Sequence, residues 1–210
     1  PPGSRAPAYS HALGPVPRDV VRALQLDRAG RRFELPAPAL TALGGTGQTI
    51  IFHRAPVLTA GAIHRVAAGD AVRWAEFLKV TQRIAGLASR ISREPPPSVD
   101  DVSAREWWSL LKIGRKARAL GRRDLARLVR WMPMSVADLV AEWFESDLLR
   151  AAISAQAIFG NPAGPMSAGT GAMLLQRFGV DPHPPGSGAT VRGGPGALRD
   201  RKSTRLNSSH

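Results

Sequence analysis

The feature that most constrains this chain is a series of apolar stripes at helical spacing between Pro56 and Phe178. In the first long stripe the apolar positions recur at steps of three and four residues: Trp74, Phe77, Leu78, Ile84 and Leu87. Such spacing places the apolar side chains on one face of a helix. The stripe therefore predicts an amphipathic helix that faces a core and is capped by Asp70 at its start.

Several further helices are expected after Pro95-Pro96-Pro97, because a run of prolines ends a helix. In chain order they are a helix capped near Ser103, one from Arg122 to Trp131, one capped by Ser135 and running through Phe144, one started by Ser146 or Asp147, and one holding Met173 to Phe178. The N-terminal part predicts a short helix at 18–26 and two strands at 32–35 and 48–53, which are expected to pair or share a sheet. The glycines within 44–47 indicate a hairpin or connecting loop. The predicted fold is α+β and mostly helical, with a few strands near residues 32–53.

Composition limits the classes of protein that fit. With 210 residues, 43% of them hydrophobic, the chain is long enough for one domain with a core or for part of a larger protein. It contains no cysteine, which excludes disulfides and thiolate sites and makes the cytoplasm the default compartment. The five histidines show no metal-type spacing to one another or to carboxylates, so no metal site is predicted. The start lacks both a signal peptide and an initiator methionine, which suggests that the chain begins within a longer gene or after processing.

The net charge of +13 suggests either nucleic acid or an anionic membrane surface as a partner. All but four of the 29 basic residues are arginine, which also suits the codon bias of a high-GC genome. The densest charge runs from Lys112 to Arg130. Three interpretations remain open: a solvated helical face, a membrane-surface patch that helps a lipophilic substrate enter, or a nucleic-acid stripe. No nucleic-acid module signature accompanies it, which disfavours the third. Nearby Trp107, Trp108 and Trp131 fit either core packing or an interfacial belt.

Two further patterns bear on chemistry. Asp138, Glu142 and Glu145 share one face of a predicted helix, where they would either form a solvated face or share a proton or a cation. Neither G-x-G-x-x-G nor G-x-x-x-x-G-K-[ST] occurs in the chain, so it offers no evident nucleotide site of its own.

The final segment, 200–210, has no hydrophobic period and resembles one translated frame of a common sequencing adapter. It is interpreted as foreign to the fold, the alternative being a genuine polar tail. The folded part would then be 1–199.

Three segments resemble motifs of the bacterial phytoene desaturase-like flavoproteins. Trp131 to Asp147 is similar to their "PMS..DL..EWFES" stretch, and Gly160 to Thr170 to their "G..AGP.SPGT" loop, with Ala168 in place of the usual proline. Val191 to Leu198 is similar to their "RGGMGAL" turn, with Pro195 replacing methionine. Including weaker likeness upstream, the resemblance covers nearly all of 1–199.

This resemblance implies that 1–199 is the middle, substrate-side lobe of a two-lobed FAD-dependent oxidoreductase. Such an enzyme would move a hydride between flavin and an apolar, often polyene or isoprenoid, substrate. The intact gene is then expected to encode G-x-G-x-x-G upstream of Pro1 and further flavin-lobe strands after Arg199. A protein of this kind would be cytoplasmic with peripheral membrane contact.

The resemblance also implies site residues, although it assigns no catalytic residue. Gly164, Pro165, Ser167, Gly169 and Thr170 would line the substrate tunnel or face the flavin, whereas the alternative is a helix-start loop in which Ser167 or Thr170 merely caps. Gly193, Gly194 and Gly196 would allow close backbone approach near the cofactor. The competing function is a non-enzymatic basic helical module that binds a membrane surface or nucleic acid.

Overall fold

The computed structural model describes residues 22–23, 33–34, 37–45, 47–93, 104–180 and 190–191. This part of the chain contains four strands and seven helices, and the two residues Arg22 and Ala23 are also helical. The strands are β1 (Phe33–Glu34), β2 (Leu40–Leu43), β3 (Thr49–Phe52) and β4 (Thr190–Val191). The helices are α1 (Pro56–His64), α2 (Ala68–Arg93), α3 (Ala104–Leu120), α4 (Arg122–Trp131), α5 (Val136–Ala141), α6 (Asp147–Ile158) and α7 (Thr170–Val180). The prediction of a mostly helical α+β fold is confirmed.

The strands form two small antiparallel ladders, and their pairing differs from the prediction. β2 pairs with β3 in a hairpin that sets Leu40 opposite Phe52 and Leu43 opposite Thr49. β1 pairs with β4 instead of sharing a ladder with β3, so the expected pairing of 32–35 with 48–53 is wrong. β3 pairs with β2, because closing a short turn between adjacent segments orders less chain than joining distant ones.

The turn of this hairpin lies where the glycine cluster predicted it. The Gly44 N–H donates to the Gln48 carbonyl at 2.8 Å, and Gly47 has a φ of 77°. Glycine adopts that left-handed conformation at little cost because it has no Cβ. The prediction of a hairpin loop at this point is confirmed.

The long helix α2 begins at Ala68, but Asp70 does not cap it. The Asp70 side chain is buried, and its carboxylate accepts hydrogen bonds from the N–H groups of Glu145, at 2.9 and 3.1 Å, and Ser146, at 2.8 Å. It therefore holds the segment that enters α6, and the prediction of a local cap is wrong. A carboxylate in the first turn of a helix can accept hydrogen bonds from a neighbouring segment when the N–H groups of that segment lie closer than those of its own helix.

The later helices largely follow the prediction. α4 has the predicted bounds, Ser135 caps α5 by accepting from the Asp138 N–H at 3.1 Å, and Ser146 caps α6 by accepting from the Leu149 N–H at 3.4 Å. The predicted cap near Ser103 lies outside the described residues.

Helix α5 is shorter than predicted, since it ends at Ala141 and does not continue through Phe144. The chain turns there and carries the Phe144 ring into the core, with its centroid 5.0 Å from that of Phe77 and 6.1 Å from that of Trp74. Burying a large aromatic ring outweighs one further helical turn.

The core is centred on α2, which packs most extensively against α7. Gly179 of α7 lies so close to α2 that a Cβ built on it would stand 2.5 Å from the Ala85 carbonyl oxygen. Trp131 is fully buried in the same core, with its ring centroid 6.3 Å from that of Trp143. Among the described residues, none of the helices is both long and apolar enough to cross a membrane.

Candidate functional site

The two stretches that carry the strongest resemblance form a single hydrogen-bonded unit. The Gly169 N–H donates to the Pro133 carbonyl at 2.9 Å, and the Gly171 N–H donates to the Met134 carbonyl at 3.0 Å. In the opposite direction, the Ala137 N–H donates to the Pro165 carbonyl at 3.1 Å. These bonds join the segment before α5 to the segment before α7. We call the joined segments 132–139 and 163–171 the paired loops.

Thr170 provides the central bond of the paired loops. Its side chain is fully buried, and its hydroxyl oxygen accepts from the Val136 N–H at 2.8 Å across 34 positions of sequence. The same hydroxyl lies 2.7 Å from the Ser167 carbonyl, to which it donates, and 3.5 Å from the Pro165 carbonyl. Thr170 therefore caps α5, a different helix from the one it begins.

The start of α5 is consequently saturated with protein partners. A helix leaves its first N–H groups without partners inside the helix, and these must find acceptors elsewhere. Here Val136 donates to Thr170, Ala137 donates to Pro165, and Asp138 donates to Ser135. No donor of these three residues remains for a phosphate or another anion.

Gly171 explains how closely the paired loops approach each other. A Cβ on this residue would stand 2.2 Å from the Trp131 carbonyl oxygen and 3.1 Å from that of Met134. Any residue larger than glycine would push α7 away from the segment before α5. The glycine is thus required for the geometry of the paired loops and not for an unusual φ.

The outer surface of the paired loops is exposed and mostly apolar. Met166 is 70% exposed and Met132 is 41% exposed, while Pro133, Pro165 and Ala168 are also exposed. We call this surface the rim; its members are Met132, Pro133, Gly164, Pro165, Met166, Ser167 and Ala168. Flexible thioether side chains adapt their shape to irregular apolar partners. The rim therefore combines a fixed backbone with adaptable apolar side chains.

The predicted substrate-binding residues lie together in the paired loops, but they differ in accessibility. Gly164, Pro165 and Ser167 are exposed on the rim, Gly169 is partly buried with a φ of 80°, and the Thr170 side chain faces the interior. Contact with a substrate remains a prediction for the exposed members. Ser167 also closes the loop, since its hydroxyl accepts from the Gly164 N–H at 3.1 Å.

The predicted cofactor-binding residues Gly193, Gly194 and Gly196 lie outside the described residues, as does the segment 200–210. The first N–H groups of α5 already donate to protein acceptors, and α6 begins beside the Asp70 carboxylate. A carboxylate at that position repels a phosphate. These two helix starts therefore do not fit the pyrophosphate of FAD.

The three carboxylates predicted to share a helical face each interact with a different partner. Asp138 accepts from the Ser135 hydroxyl at 2.6 Å, and Glu142 pairs with Arg130. Glu145 lies beyond the end of α5 and pairs with Arg73 at 3.4 Å. Across the described part of the chain, no group of three His, Asp or Glu side chains is arranged to hold a metal ion.

The basic run from Lys112 to Arg130 is divided between two helices that serve different purposes. On α4, Arg127 pairs with the buried Asp124 at 3.1 Å, and Arg83 of α2 pairs with the same carboxylate at 2.7 Å. Arg130 pairs with Glu142. The α4 portion therefore contributes partly to internal ion pairs, whereas Lys112, Arg115 and Arg118 of α3 form none among the described residues.

On α3 the tryptophans are exposed. Trp107 is 59% exposed, Trp108 is 62% exposed and Leu111 is 57% exposed, whereas Trp131 on α4 belongs to the core. These residues line an open groove of about 520 Å³ together with Lys112, Gly114, Arg115 and Arg118. We call this lining the tryptophan patch. Sequence reasoning noted the three tryptophans without separating the two roles, because the difference depends on which face of α3 meets the rest of the fold.

No family model matches the chain, and comparison with curated proteins and with solved structures also found no match.

Proposed function

We propose that this chain forms the substrate-side part of an FAD-dependent oxidoreductase, resembling the phytoene desaturases, that acts on an apolar substrate. The observation that carries the proposal is the joining of the paired loops. Both belong to segments that resemble one enzyme family, and they lie far apart in sequence. Motifs that serve one site are expected to meet in the fold, and these two segments do meet.

The rim supports an apolar substrate. Its side chains include two exposed methionines and two exposed prolines, and exposed charged groups are absent from its members. Burying a methionine side chain against a hydrocarbon contributes roughly 1.5 to 3 kcal/mol. Because backbone hydrogen bonds already fix the loops, binding loses little freedom there.

In this proposal the chain contributes positioning and exclusion of water, and the flavin binds through other parts of the complete polypeptide. The starts of α5 and α6 do not fit a phosphate, and the chain carries no dinucleotide fingerprint. A flavoprotein commonly divides its work in this way, with the cofactor supplying the redox chemistry and the protein supplying the cavity.

The test uses the protein from the complete open reading frame that contains this chain. We expect it to purify with about one FAD per polypeptide and to reduce or oxidise that flavin with a polyene or isoprenoid substrate. Replacing Met166 by Glu should raise KM about tenfold or more with little change in kcat, because a carboxylate buried against hydrocarbon loses its hydration. Met166→Leu is the matched control and should behave as the wild type.

Two results would refute the proposal. One is a complete protein that binds no flavin. The other is an active flavoprotein in which Met166→Glu and Met166→Leu have the same KM, which would remove the rim from the substrate path.

A second candidate is a non-enzymatic basic module, and the exposed tryptophan patch favours it. Flavin content separates the two functions, since a binding module needs none.

A further inference from the structure

The tryptophan patch is a continuous stripe on the outward face of α3. Positions 107, 111, 115 and 118 follow one another at steps of three and four residues, so they share one side of the helix. The opposite side carries Ala117 and Leu120, which are partly buried against the core. The helix is thus anchored by its inner face and presents the patch outward.

The patch is divided along its length into an apolar end and a cationic end. Trp107, Trp108 and Leu111 form the N-terminal end of the patch, and Lys112, Arg115 and Arg118 follow them along the helix. At 1.5 Å per residue the apolar part extends about 6 Å and the cationic part about 9 Å. The Lys112 ammonium lies 5.9 Å from the Trp108 ring centroid, so the two ends meet in a cation–π contact.

The charged members of the patch, Lys112, Arg115 and Arg118, are all basic. Between Trp107 and Arg123 the sequence holds six basic residues and no acidic residue. The acidic residues nearest to the patch along the chain are Glu106, which precedes Trp107 in α3, and Asp124, which is paired with Arg83 and Arg127. Among the described residues, none of Lys112, Arg115 and Arg118 forms an ion pair.

We propose that the tryptophan patch docks the protein on an anionic lipid surface. The two indole rings and Leu111 would enter the boundary between headgroups and acyl chains, and Lys112, Arg115 and Arg118 would contact lipid phosphates. Interfacial helices bury their apolar face about 5 to 10 Å deep in this boundary, a depth that indole and leucine side chains can reach. This docking does not depend on the proposed redox activity, because the patch and the rim share no residue.

Other occupants fit the patch less well. A second copy of the chain would bring a patch of the same charge against it, and like charges oppose such an interface. Duplex DNA would contact the cations through its phosphates and would leave Trp107, Trp108 and Leu111 without a partner. The patch therefore matches a partner with hydrocarbon beneath a layer of negative charge.

The test is sedimentation of the chain with vesicles. We expect binding to vesicles of phosphatidylcholine with about one third phosphatidylserine, weak binding to pure phosphatidylcholine, and loss of binding at high salt. The double variant Arg115→Gln/Arg118→Gln should bind about thirtyfold more weakly, since each cation near an anionic surface contributes roughly 1 kcal/mol. The charge-matched control Arg65→Gln/Lys79→Gln changes exposed residues outside the patch and should lose less than threefold.

The apolar end is tested separately by Trp107→Ala/Trp108→Ala, which should weaken vesicle binding at least tenfold. Phe159→Ala is its control, because Phe159 is 60% exposed and lies outside the patch. For the unmodified chain, lipids brominated on their acyl chains should quench tryptophan fluorescence on binding. Because quenching is measured on the unmodified chain, the test still gives an answer if the variants fail to fold.

Three outcomes would overturn the docking proposal. The first is an equal loss of vesicle binding in the Arg115/Arg118 variant and its control. The second is a bound chain whose fluorescence brominated lipid does not quench. The third is binding to duplex DNA that is as tight as binding to vesicles and is unchanged in the Trp107→Ala/Trp108→Ala variant. A complete protein that binds flavin but not vesicles would refute the docking alone. One that binds vesicles but no flavin would refute the redox function alone.

Discussion

Replacing Gly171 by alanine tests the packing on which the paired loops depend. The added Cβ would stand 2.2 Å from the Trp131 carbonyl oxygen, about 1 Å closer than the roughly 3.3 to 3.6 Å at which carbon and carbonyl oxygen meet. The obstacle is backbone and cannot rotate away. Overpacking of this kind destabilises by about 3 kcal/mol at the upper end of its range.

Two smaller effects accompany the clash. The hydrogen bond from the Gly171 N–H to the Met134 carbonyl would be weakened, with a loss of about 1 kcal/mol. Alanine is a better helix former than glycine, which offsets up to about 1 kcal/mol. The expected net loss in the free energy of unfolding is about 3 kcal/mol, or a decrease in Tm of roughly 6 to 12 °C for a chain of this size.

Gly86→Ala provides a matched control with the opposite sign. Gly86 lies inside α2, is exposed, and has no atom within 4 Å of an added Cβ. The same chemical change should therefore raise the unfolding free energy by about 1 kcal/mol. Both variants are measured by urea unfolding followed by circular dichroism. If Gly171→Ala lies within 1 kcal/mol of the wild type, the close approach of the paired loops is wrong.

Three further variants probe other parts of the fold. Asp70→Ala should lower the unfolding free energy by about 3 kcal/mol, because two backbone N–H groups lose a charged acceptor. The control Asp147→Asn, at the exposed start of α6, should change it by less than about 1 kcal/mol. Equal effects of the two variants in urea unfolding would contradict the role of Asp70. Thr170→Val should cost about 1 to 2 kcal/mol by uncapping α5, and a melting curve identical to that of the wild type would show that Val136 finds another acceptor. Deleting 200–210 should leave Tm unchanged in calorimetry, and a decrease of several degrees would show that this segment belongs to the fold.

Local signals predicted the helices well. Ser135 and Ser146 cap the helices that follow them, and α4 begins at Arg122 and ends at Trp131 as expected. These features depend on residues within four positions of each other, which a single sequence displays. The Gly44–Gly47 turn is predictable for the same reason.

Features that depend on distant residues escaped prediction. Asp70 was expected to serve its own helix, yet it binds N–H groups more than seventy positions away, at Glu145 and Ser146. The pairing of Phe33 with Val191 is similarly remote. A side chain that satisfies a distant backbone donor looks the same in sequence as one that satisfies a near donor, so only the assembled fold separates them.

The candidate site was predicted in part. The resemblance pointed to Gly164, Pro165 and Ser167, which the structure places on an exposed surface, and to Thr170, whose side chain it places inside. The contribution of Met132 to the same surface was not foreseen. A methionine next to a proline has no periodicity that distinguishes an exposed position from a buried one.

The bond between Thr170 and Val136 has a consequence for the order in which the chain folds during synthesis. Helix α5 receives its outside acceptors only after Pro165 and Thr170 have been made, and Thr170 follows Val136 by 34 residues. At about 5 to 20 residues per second, the ribosome needs roughly two to seven seconds to add them. Until then the Val136 and Ala137 N–H groups must rely on water, so α5 and α7 are expected to become stable together in the nascent chain.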